Sequence, residues 1–182
     1  GAIDSMLARY TALKRFRSDD PYAPGGISRR PERAVIVYCN LIKKLYKDVP
    51  VVIGGIEASM RRIAHYDFWD NKVRRSIIED SRADILVYGM GEKAIADIAI
   101  RLRSGIGLDG IPGTVVMSKN YPANSLILPG EEAALNSRKG FIDLYKAFYS
   151  NQQKVLAQQA GKRFLVHYPA YEMNSKELDD IY

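Results

Sequence analysis

The chain has 182 residues, of which 47% are hydrophobic and 10% aromatic, so it can bury one sizeable core. It has no apolar run near the length of a membrane span, and we expect neither a membrane partner nor a secretory leader. The single cysteine, Cys39, excludes an internal disulfide and any metal or iron–sulfur site built from several thiolates of this chain, and it indicates a cytoplasmic location.

The net charge of +6 is concentrated in the first part of the chain. Residues 1–75 contain 15 Lys and Arg against 8 Asp and Glu, whereas residues 76–182 contain 12 against 13. Such a field can attract phosphates or nucleic acid, although solvated surface is the commoner reason for it. A basic nucleic-acid- or phosphate-binding module is therefore one functional alternative.

The first predicted elements are two helices separated by a loop. Apolar residues at helical spacing predict a helix over Ser5–Phe16, and Pro21–Arg30 is predicted to be a loop. Pro31 suits the first turn of a second helix that extends to Tyr46. The β-branched run Val35–Val37 leaves a strand open as the alternative there.

Strands and helices then alternate. Buried strands are predicted at Pro50–Ile53 and Ile85–Tyr88, and helices at Asn71–Asp80 and Lys93–Arg103. Gly105 ends the last of these. Short connections in this order favour parallel pairing with right-handed crossovers, so we predict an α/β fold.

The pattern changes after Gly113. The later part of the chain is predicted to be α+β, with the following elements: strands Thr114–Met117 and Ser125–Leu128 as a hairpin or loop-linked pair, a helix from Glu131 to about Gln153, a hairpin of Val155–Gln158 and Arg163–His167, and a helix that begins at Ser175.

Glycine turns follow both predicted parallel strands, and ligands in open α/β sheets bind beyond the carboxyl ends of strands. We therefore predict a ligand crevice whose walls include Gly54, Gly55, Glu57, Ser59, Arg61, His65, Tyr88, Gly89, Gly91 and Glu92. Simpler roles are also open. The glycines permit tight turns, Glu57 and Glu92 can stabilise helix N-termini, and His65 can be a hydrogen-bonded structural histidine.

Two arginine doublets surround an aromatic group formed by Tyr66, Phe68 and Trp69. Guanidinium groups bind phosphates or carboxylates in bidentate fashion and aromatic rings stack on bases, so Arg62, Arg74 and Arg75 are candidate anion contacts. The alternative is structural, with the arginines paired to nearby acids, which are Asp67, Asp70 and Glu79.

Several motifs together resemble the amino-terminal region of the YgiQ-type (UPF0313) radical-SAM iron–sulfur proteins. The similar segments are Asp4–Met6, Tyr10–Thr11, Arg17–Asp20, Tyr22–Gly26, Gly54–Ser59, Arg61–Asp67, Arg74–Ser76 and Tyr88–Glu92, with weaker similarity at Val166–Ala170 and Glu177–Tyr182. The resemblance implies an accessory, non-catalytic region of an enzyme whose substrate is unknown.

The resemblance also implies a domain organisation. Residues 1–112 would form a Rossmann-like, cobalamin-binding-like parallel sheet that lacks its upstream strands, and residues 113–182 would form an α+β extension toward a downstream radical-SAM core. The incomplete sheet would leave an exposed edge, through which the chain could self-associate.

In the family, a CxxxCxxC loop holds a [4Fe–4S] cluster that binds S-adenosylmethionine. This chain has no such loop, so we expect both cofactors only in the full-length protein and no metal in this chain. It also lacks the DxHxxG loop typical of base-off cobalamin binding, so cobalamin is not expected here.

Overall fold

The computed structural model describes residues 10, 11, 13–16, 31–179 and 181. The predicted loop Pro21–Arg30 and the start of the predicted helix Ser5–Phe16 lie outside these residues. The described elements are, in chain order, α1 (Ala34–Leu45), β1 (Val52–Ile53), α2 (Gly55–Met60), β2 (His65–Asp67), β3 (Lys72–Arg74), α3 (Ile77–Ser81), β4 (Ile85–Val87), α4 (Glu92–Ser104), β5 (Thr114–Ser118), β6 (Leu126–Leu128), α5 (Glu131–Asn136), α6 (Arg138–Tyr149), β7 (Leu156–Ala160), β8 (Arg163–His167) and α7 (Ser175–Asp179).

The described end of the first predicted helix is not helical. Tyr10 forms an antiparallel bridge with Phe16, and the amide of Thr11 donates to the carbonyl of Arg15. Lys14 has a φ of 59°, in the left-handed region, so the chain turns back on itself here. The helical prediction is therefore wrong for these residues. The prediction of a helix after Pro31 is confirmed by α1, which excludes the strand alternative at Val35–Val37.

Six strands form one mixed sheet in the order β1-β4-β5-β8-β7-β6. β1 pairs in parallel with β4, as the Rossmann-like prediction expects, and β6 pairs in parallel with β7. The other three pairs are antiparallel. The α/β prediction is confirmed, with a mixed rather than a fully parallel sheet. Among the described residues, β1 and β6 are the edges of this sheet.

The two predicted hairpins have different outcomes. β7 and β8 form the predicted hairpin, with Gly161 at a φ of +58° in its turn. The predicted strands Thr114–Met117 and Ser125–Leu128 are present as β5 and β6, but they do not form a hairpin, because β5 pairs with β8 and β6 pairs with β7. The later hairpin therefore lies between the two strands that the sequence placed side by side.

Two helical predictions also need correction. Within Asn71–Asp80, residues Lys72–Arg74 form β3, which pairs with β2, and the helix begins only at Ile77. Asn71 has a φ of 53° at the turn between β2 and β3, where Asn tolerates the left-handed conformation. The predicted helix from Glu131 is interrupted at Ser137, which has extended dihedral angles and whose hydroxyl caps α6.

The core lies on both faces of the sheet. Side chains alternate along β4, so that Ile85 and Val87 pack under α4, whereas Leu86 packs on the opposite face with α1 and α3. A third cluster forms where α6 packs on β6 and β7 through Leu144 and Phe148. The predicted division at residue 112/113 falls within this sheet, since β4 pairs with β5, and the two folding units stay a prediction.

Candidate ligand crevice

The two glycine turns lie next to each other, as expected for a crevice. β1 and β4 are hydrogen-bonded neighbours, and a Cβ atom at Gly54 would lie 3.3 Å from the carbonyl oxygen of Val87. Gly55 and Gly89 have φ angles of +84° and +71°, which favour glycine. The turns are exposed at the carboxyl ends of both strands.

Several predicted crevice residues support the turns instead of lining a cavity. Glu57 is buried in the first turn of α2 and forms an ion pair with Arg61 at 3.1 Å. The carbonyl of Ser59 accepts a hydrogen bond from Nη1 of Arg62. Gly91 is the residue before α4, and Glu92 is exposed in its first turn, where a carboxylate interacts favourably with the helix dipole.

A surface cleft of about 410 Å³, here called the outer cleft, begins where α2 ends. Its charged and polar residues are Arg61, Arg62, His65 and Asp67. Aromatic rings form much of its walls, and they belong to Tyr66, Phe68, Trp69, Tyr145, Phe148 and Tyr149. The rings come from two parts of the chain, the loop around β2 and the helix α6. The bridged turn at Tyr10–Phe16 packs against one rim, with the rings of Tyr10 and Trp69 5.1 Å apart.

A smaller cavity, here called the inner pocket, lies behind the outer cleft and shares Arg62 and Phe148 with it. The guanidinium group of Arg62 lies between the rings of Tyr88 and Phe148, 4.7 Å and 4.9 Å from their centroids. Nη2 of Arg62 also donates to Oε1 of Gln152 at 3.4 Å. Tyr88 is held in place because its hydroxyl donates to the carbonyl of Tyr168 at 2.5 Å.

The two histidines are both buried. Nδ1 of His65 donates to the carbonyl of Ile63 at 3.2 Å, and since a carbonyl can only accept, Nε2 is the acceptor of the neutral ring. Burial, followed by the charge of Arg61, lowers the pKa of His65 to about 4. Burial, followed by the charge of Arg62, lowers the pKa of His167 to about 3. Both rings are therefore neutral at pH 7.

Three buried polar atoms that have no hydrogen-bond partner in the described part of the chain belong to residues that line the inner pocket. Within the described residues, neither ring nitrogen of His167 has a hydrogen-bond partner, and neither does the buried Nε of Arg62. Each such buried atom costs about 1–3 kcal/mol. Buried polar atoms in folded proteins that lack a protein partner are usually paired with an ordered water or a ligand group, and a polar ligand group is compatible with this geometry.

An ion-pair network fixes the hairpin of β2 and β3, which carries His65. Arg33 contacts two carboxylates, the buried one of Asp67 at 2.6 Å and the exposed one of Asp70 at 2.8 Å. Arg74 contacts Asp70 at 2.9 Å and Asp80 at 3.1 Å. Burial alone would raise the pKa of Asp67, but the hydrogen bond and charge of Arg33 outweigh it and hold the pKa below its usual value.

The predicted anion contacts have different surroundings. Arg74 is engaged with acids, which agrees with the structural alternative for that residue. The side chain of Arg75 is 61% exposed and lies 3.9 Å from Glu131. Arg62 differs from both, because no carboxylate lies within ion-pair distance of it in the described part of the chain. Burial lowers its pKa, as expected for a guanidinium group that lacks a counterion.

Sequence reasoning missed the contribution of α6 and β8. The predicted crevice residues include none of Tyr145, Phe148 and Tyr149 on α6, and they do not include His167 on β8. Helix α6 has more aromatic residues than a core-facing helix needs, and this excess was the available signal. The structure agrees with it, because Tyr149 is 63% exposed. The meeting of these residues with Arg62 depends on long-range packing.

Among residues 31–179 and the other described positions, no group of three or more His, Cys, Asp and Glu side chains could hold a metal ion. The whole chain has one cysteine, Cys39, which is buried. This donor set does not fit a [4Fe–4S] cluster, which needs several thiolates. Nor is any helix of the described residues long and apolar enough to cross a membrane.

The structure is thus an α/β sheet with glycine turns at the ends of two adjacent strands and a crevice lined by arginines and aromatic rings. A chain with these features also matches a known family. The family model for the radical SAM N-terminal region matches residues 1–182, and the chain belongs to this family. The resemblance noted from the motifs is thereby confirmed.

The chain is also similar to proteins that are named UPF0313 in several organisms. The chain is 47% identical to a UPF0313 protein of Clostridium botulinum (strain ATCC 19397 / Type A), 45% identical to one of Methanocaldococcus jannaschii and 42% identical to one of Fusobacterium nucleatum subsp. nucleatum. Each alignment covers 100% of this chain but only 30%, 32% and 34% of the relative. The chain thus spans about a third of the length of these relatives. No solved structure matches it.

Proposed function

We propose that this chain is the accessory N-terminal region of a longer radical-SAM polypeptide and carries out no redox chemistry itself. One observation supports the proposal most strongly. The chain aligns over its full length with a radical SAM N-terminal family model, and with only about a third of each relative. The remaining two thirds of such a polypeptide would contain the catalytic core, which is the partner of this region. A cytoplasmic location, favoured by the single cysteine, belongs to the same proposal.

In the family, a [4Fe–4S] cluster with bound S-adenosylmethionine supplies the radical chemistry, and both would be held outside this region. Cys39 is a lone buried thiol with a pKa raised by burial, so it is a poor cluster ligand. Cobalamin is not proposed for this region.

The contribution of this region would be a binding surface at the carboxyl ends of β1 and β4. The exposed glycine turns, Arg61, His65 and Tyr88 support a crevice at this position. The edge strand β1 would be the place where further strands of the same polypeptide, or a second copy of the chain, complete the sheet.

Anaerobic reconstitution with iron and sulfide tests the proposal. After desalting, we expect visible thiolate-to-iron absorption and reductive formation of 5′-deoxyadenosine from S-adenosylmethionine in the full-length polypeptide, and neither in this chain alone. A stable cluster on this chain that is lost in Cys39→Ala would contradict the proposal. A full-length polypeptide that contains no cluster would do so as well.

The alternative of a basic nucleic-acid- or phosphate-binding module stays a prediction. Exposed Arg75 and the basic excess of residues 1–75 favour it, whereas the acids around Arg74 reduce the charge available. Oligonucleotide binding by this chain that weakens steeply as salt is raised from 50 to 200 mM would support this alternative.

A further inference from the structure

The group that most requires a counterion is Arg62. Four other arginines of the described residues, which are Arg33, Arg61, Arg74 and Arg101, form ion pairs with carboxylates at 2.6–3.1 Å. Arg62 is half-buried between two rings, and within the described residues its hydrogen bonds go to the neutral oxygens of Ser59 and Gln152. A desolvated cation with only neutral partners is an electrostatic match for an anion.

A second, independent observation points to the same position. His167 is 1% exposed, lines the inner pocket with Arg62, and has no hydrogen-bond partner at either ring nitrogen among the described residues. The neutral imidazole can donate from one nitrogen and accept at the other. Nε–H of Arg62 is also unpaired. An oxygen atom in the inner pocket could accept from both groups, and the pocket has room for about one water-sized group.

The outer cleft determines what would be attached to that oxygen. It adjoins the inner pocket at Arg62 and Phe148, which line both cavities, and its walls include the exposed rings of Tyr66, Phe68 and Tyr149. Aromatic walls beside a cation are suited to a planar ring, which stacks on the side chains while its charged group reaches the cation. A volume of about 410 Å³ is within the usual range for a small-molecule site.

We infer that the outer cleft and inner pocket together bind a small planar aromatic compound that carries an anionic oxygen group, with the ring against Tyr149 and Phe148 and one anionic oxygen at Arg62 and His167. The inference rests on the crevice in the proposed function and adds its ligand class. The anionic group could be a phosphate or a carboxylate, since both offer oxygens to a guanidinium group.

Isothermal titration calorimetry on the full-length polypeptide, without added iron or S-adenosylmethionine, tests this inference. The probes are AMP for a ring with a phosphate, 4-hydroxybenzoate for a ring with a carboxylate, adenosine for a ring without an anion, and inorganic phosphate for an anion without a ring. We expect AMP or 4-hydroxybenzoate to bind at least about tenfold more tightly than adenosine and phosphate. Which of the two binds identifies the anionic group.

Three variants separate this site from non-specific binding. Arg62→Gln should weaken binding of the probe by about 10–100-fold, because it removes a hydrogen-bonded charge. Tyr149→Ala removes a ring that is 63% exposed, and should weaken binding by about tenfold even if Arg62→Gln fails to fold. Arg103→Gln removes an exposed charge on α4 that lines neither cavity, and should leave the affinity unchanged.

Three results would overturn the inference: no binding of either aromatic anion, equally tight binding of adenosine or phosphate, or equal loss in Arg103→Gln and Tyr149→Ala. Because no cluster or turnover is needed for the titration, failure here would leave the accessory role intact. Conversely, a failed reconstitution would leave the ligand result unaffected.

Discussion

Gly140, near the start of α6, offers a test in which helix propensity and packing predict opposite signs. In an exposed helix, replacing Gly with Ala stabilises by about 0.8–1 kcal/mol. At Gly140, however, the added Cβ would lie 2.2 Å from the carbonyl oxygen and 2.6 Å from the carbonyl carbon of Ala133, whereas ordinary contact begins at 3.4 Å. Ala133 is backbone of the preceding helix α5, so relief requires the two helices to move apart.

The cost of such overpacking is typically 1–3 kcal/mol, and here the rigid backbone partner favours the upper part of that range or more. After the gain in propensity is subtracted, we expect Gly140→Ala to lose about 1–3 kcal/mol of unfolding free energy. For a chain of this length that corresponds to a fall in Tm of about 2–12 °C.

Thermal unfolding followed by circular dichroism measures this change. Gly107→Ala is the matched control, because no atom lies within 4 Å of its added Cβ and its φ is not in the left-handed region. We expect it to change stability by no more than about 1 kcal/mol. A Tm for Gly140→Ala equal to or above that of the wild type would refute the close contact between α5 and α6, and with it the placement of the aromatic wall on α6.

Two further predictions concern buried carboxyl groups. Asp67→Asn should lower the unfolding free energy at pH 7 by about 2–4 kcal/mol in urea denaturation, because it leaves Arg33 without its buried partner, whereas exposed Asp48→Asn should change it by less than about 0.5 kcal/mol. Since the pKa of Asp67 is depressed in the folded state, the wild-type advantage should be present above the ordinary Asp pKa and disappear as the pH falls through the folded value. Burial, together with the neighbouring Glu131, raises the pKa of Glu79 to about 8, so stability should fall as the pH rises from about 4.5 to about 8. Glu79→Gln should flatten this dependence and be about 1–3 kcal/mol more stable than the wild type at pH 9, and an unchanged pH profile would contradict the buried carboxyl pair.

Patterns among neighbouring residues correctly predicted the elements whose conformation those same residues favour. α1 and α4 follow directly from apolar residues at helical spacing, and Gly105 ends α4 in the left-handed conformation that its position suggested. β1 and β4 follow from apolar runs that end in glycines. In these cases the signal and the structure depend on the same few residues.

The errors occur where distant parts of the chain decide the conformation. In Asn71–Asp80, three apolar residues at helical spacing were too few to distinguish a helix from a β-hairpin. The structure has a hairpin of β2 and β3 with its turn at Asn71, and Arg33 stabilises it by pairing with Asp67. The pairing of β5 with β8 could not be read from either strand, because both are simply buried apolar segments. Strand order is a property of the whole sheet.

The candidate site includes some features that local motifs predict and others that depend on contacts between distant parts of the chain. The glycine turns and the arginine doublet at Arg61 were evident because they are local motifs. The inner pocket was not, since Tyr88 and His167 come together only when β5 inserts between β4 and β8. The ring of Phe148 then reaches both His167, at 5.6 Å, and Arg62.

This assembly explains why a half-buried cation without a carboxylate is tolerated at the end of the sheet. Arg62 gains two ring contacts and two hydrogen bonds to neutral oxygens, which offset part of its desolvation. Among the described residues, its Nε and the neighbouring imidazole still have no hydrogen-bond partner. A core designed only for stability would contain an apolar side chain there, because well-packed apolar groups are commonly at least as stable as buried charge. Retaining both polar groups is a cost in stability of the kind that binding sites carry. It is best explained if the oxygen they can both bind belongs to the ligand of the crevice.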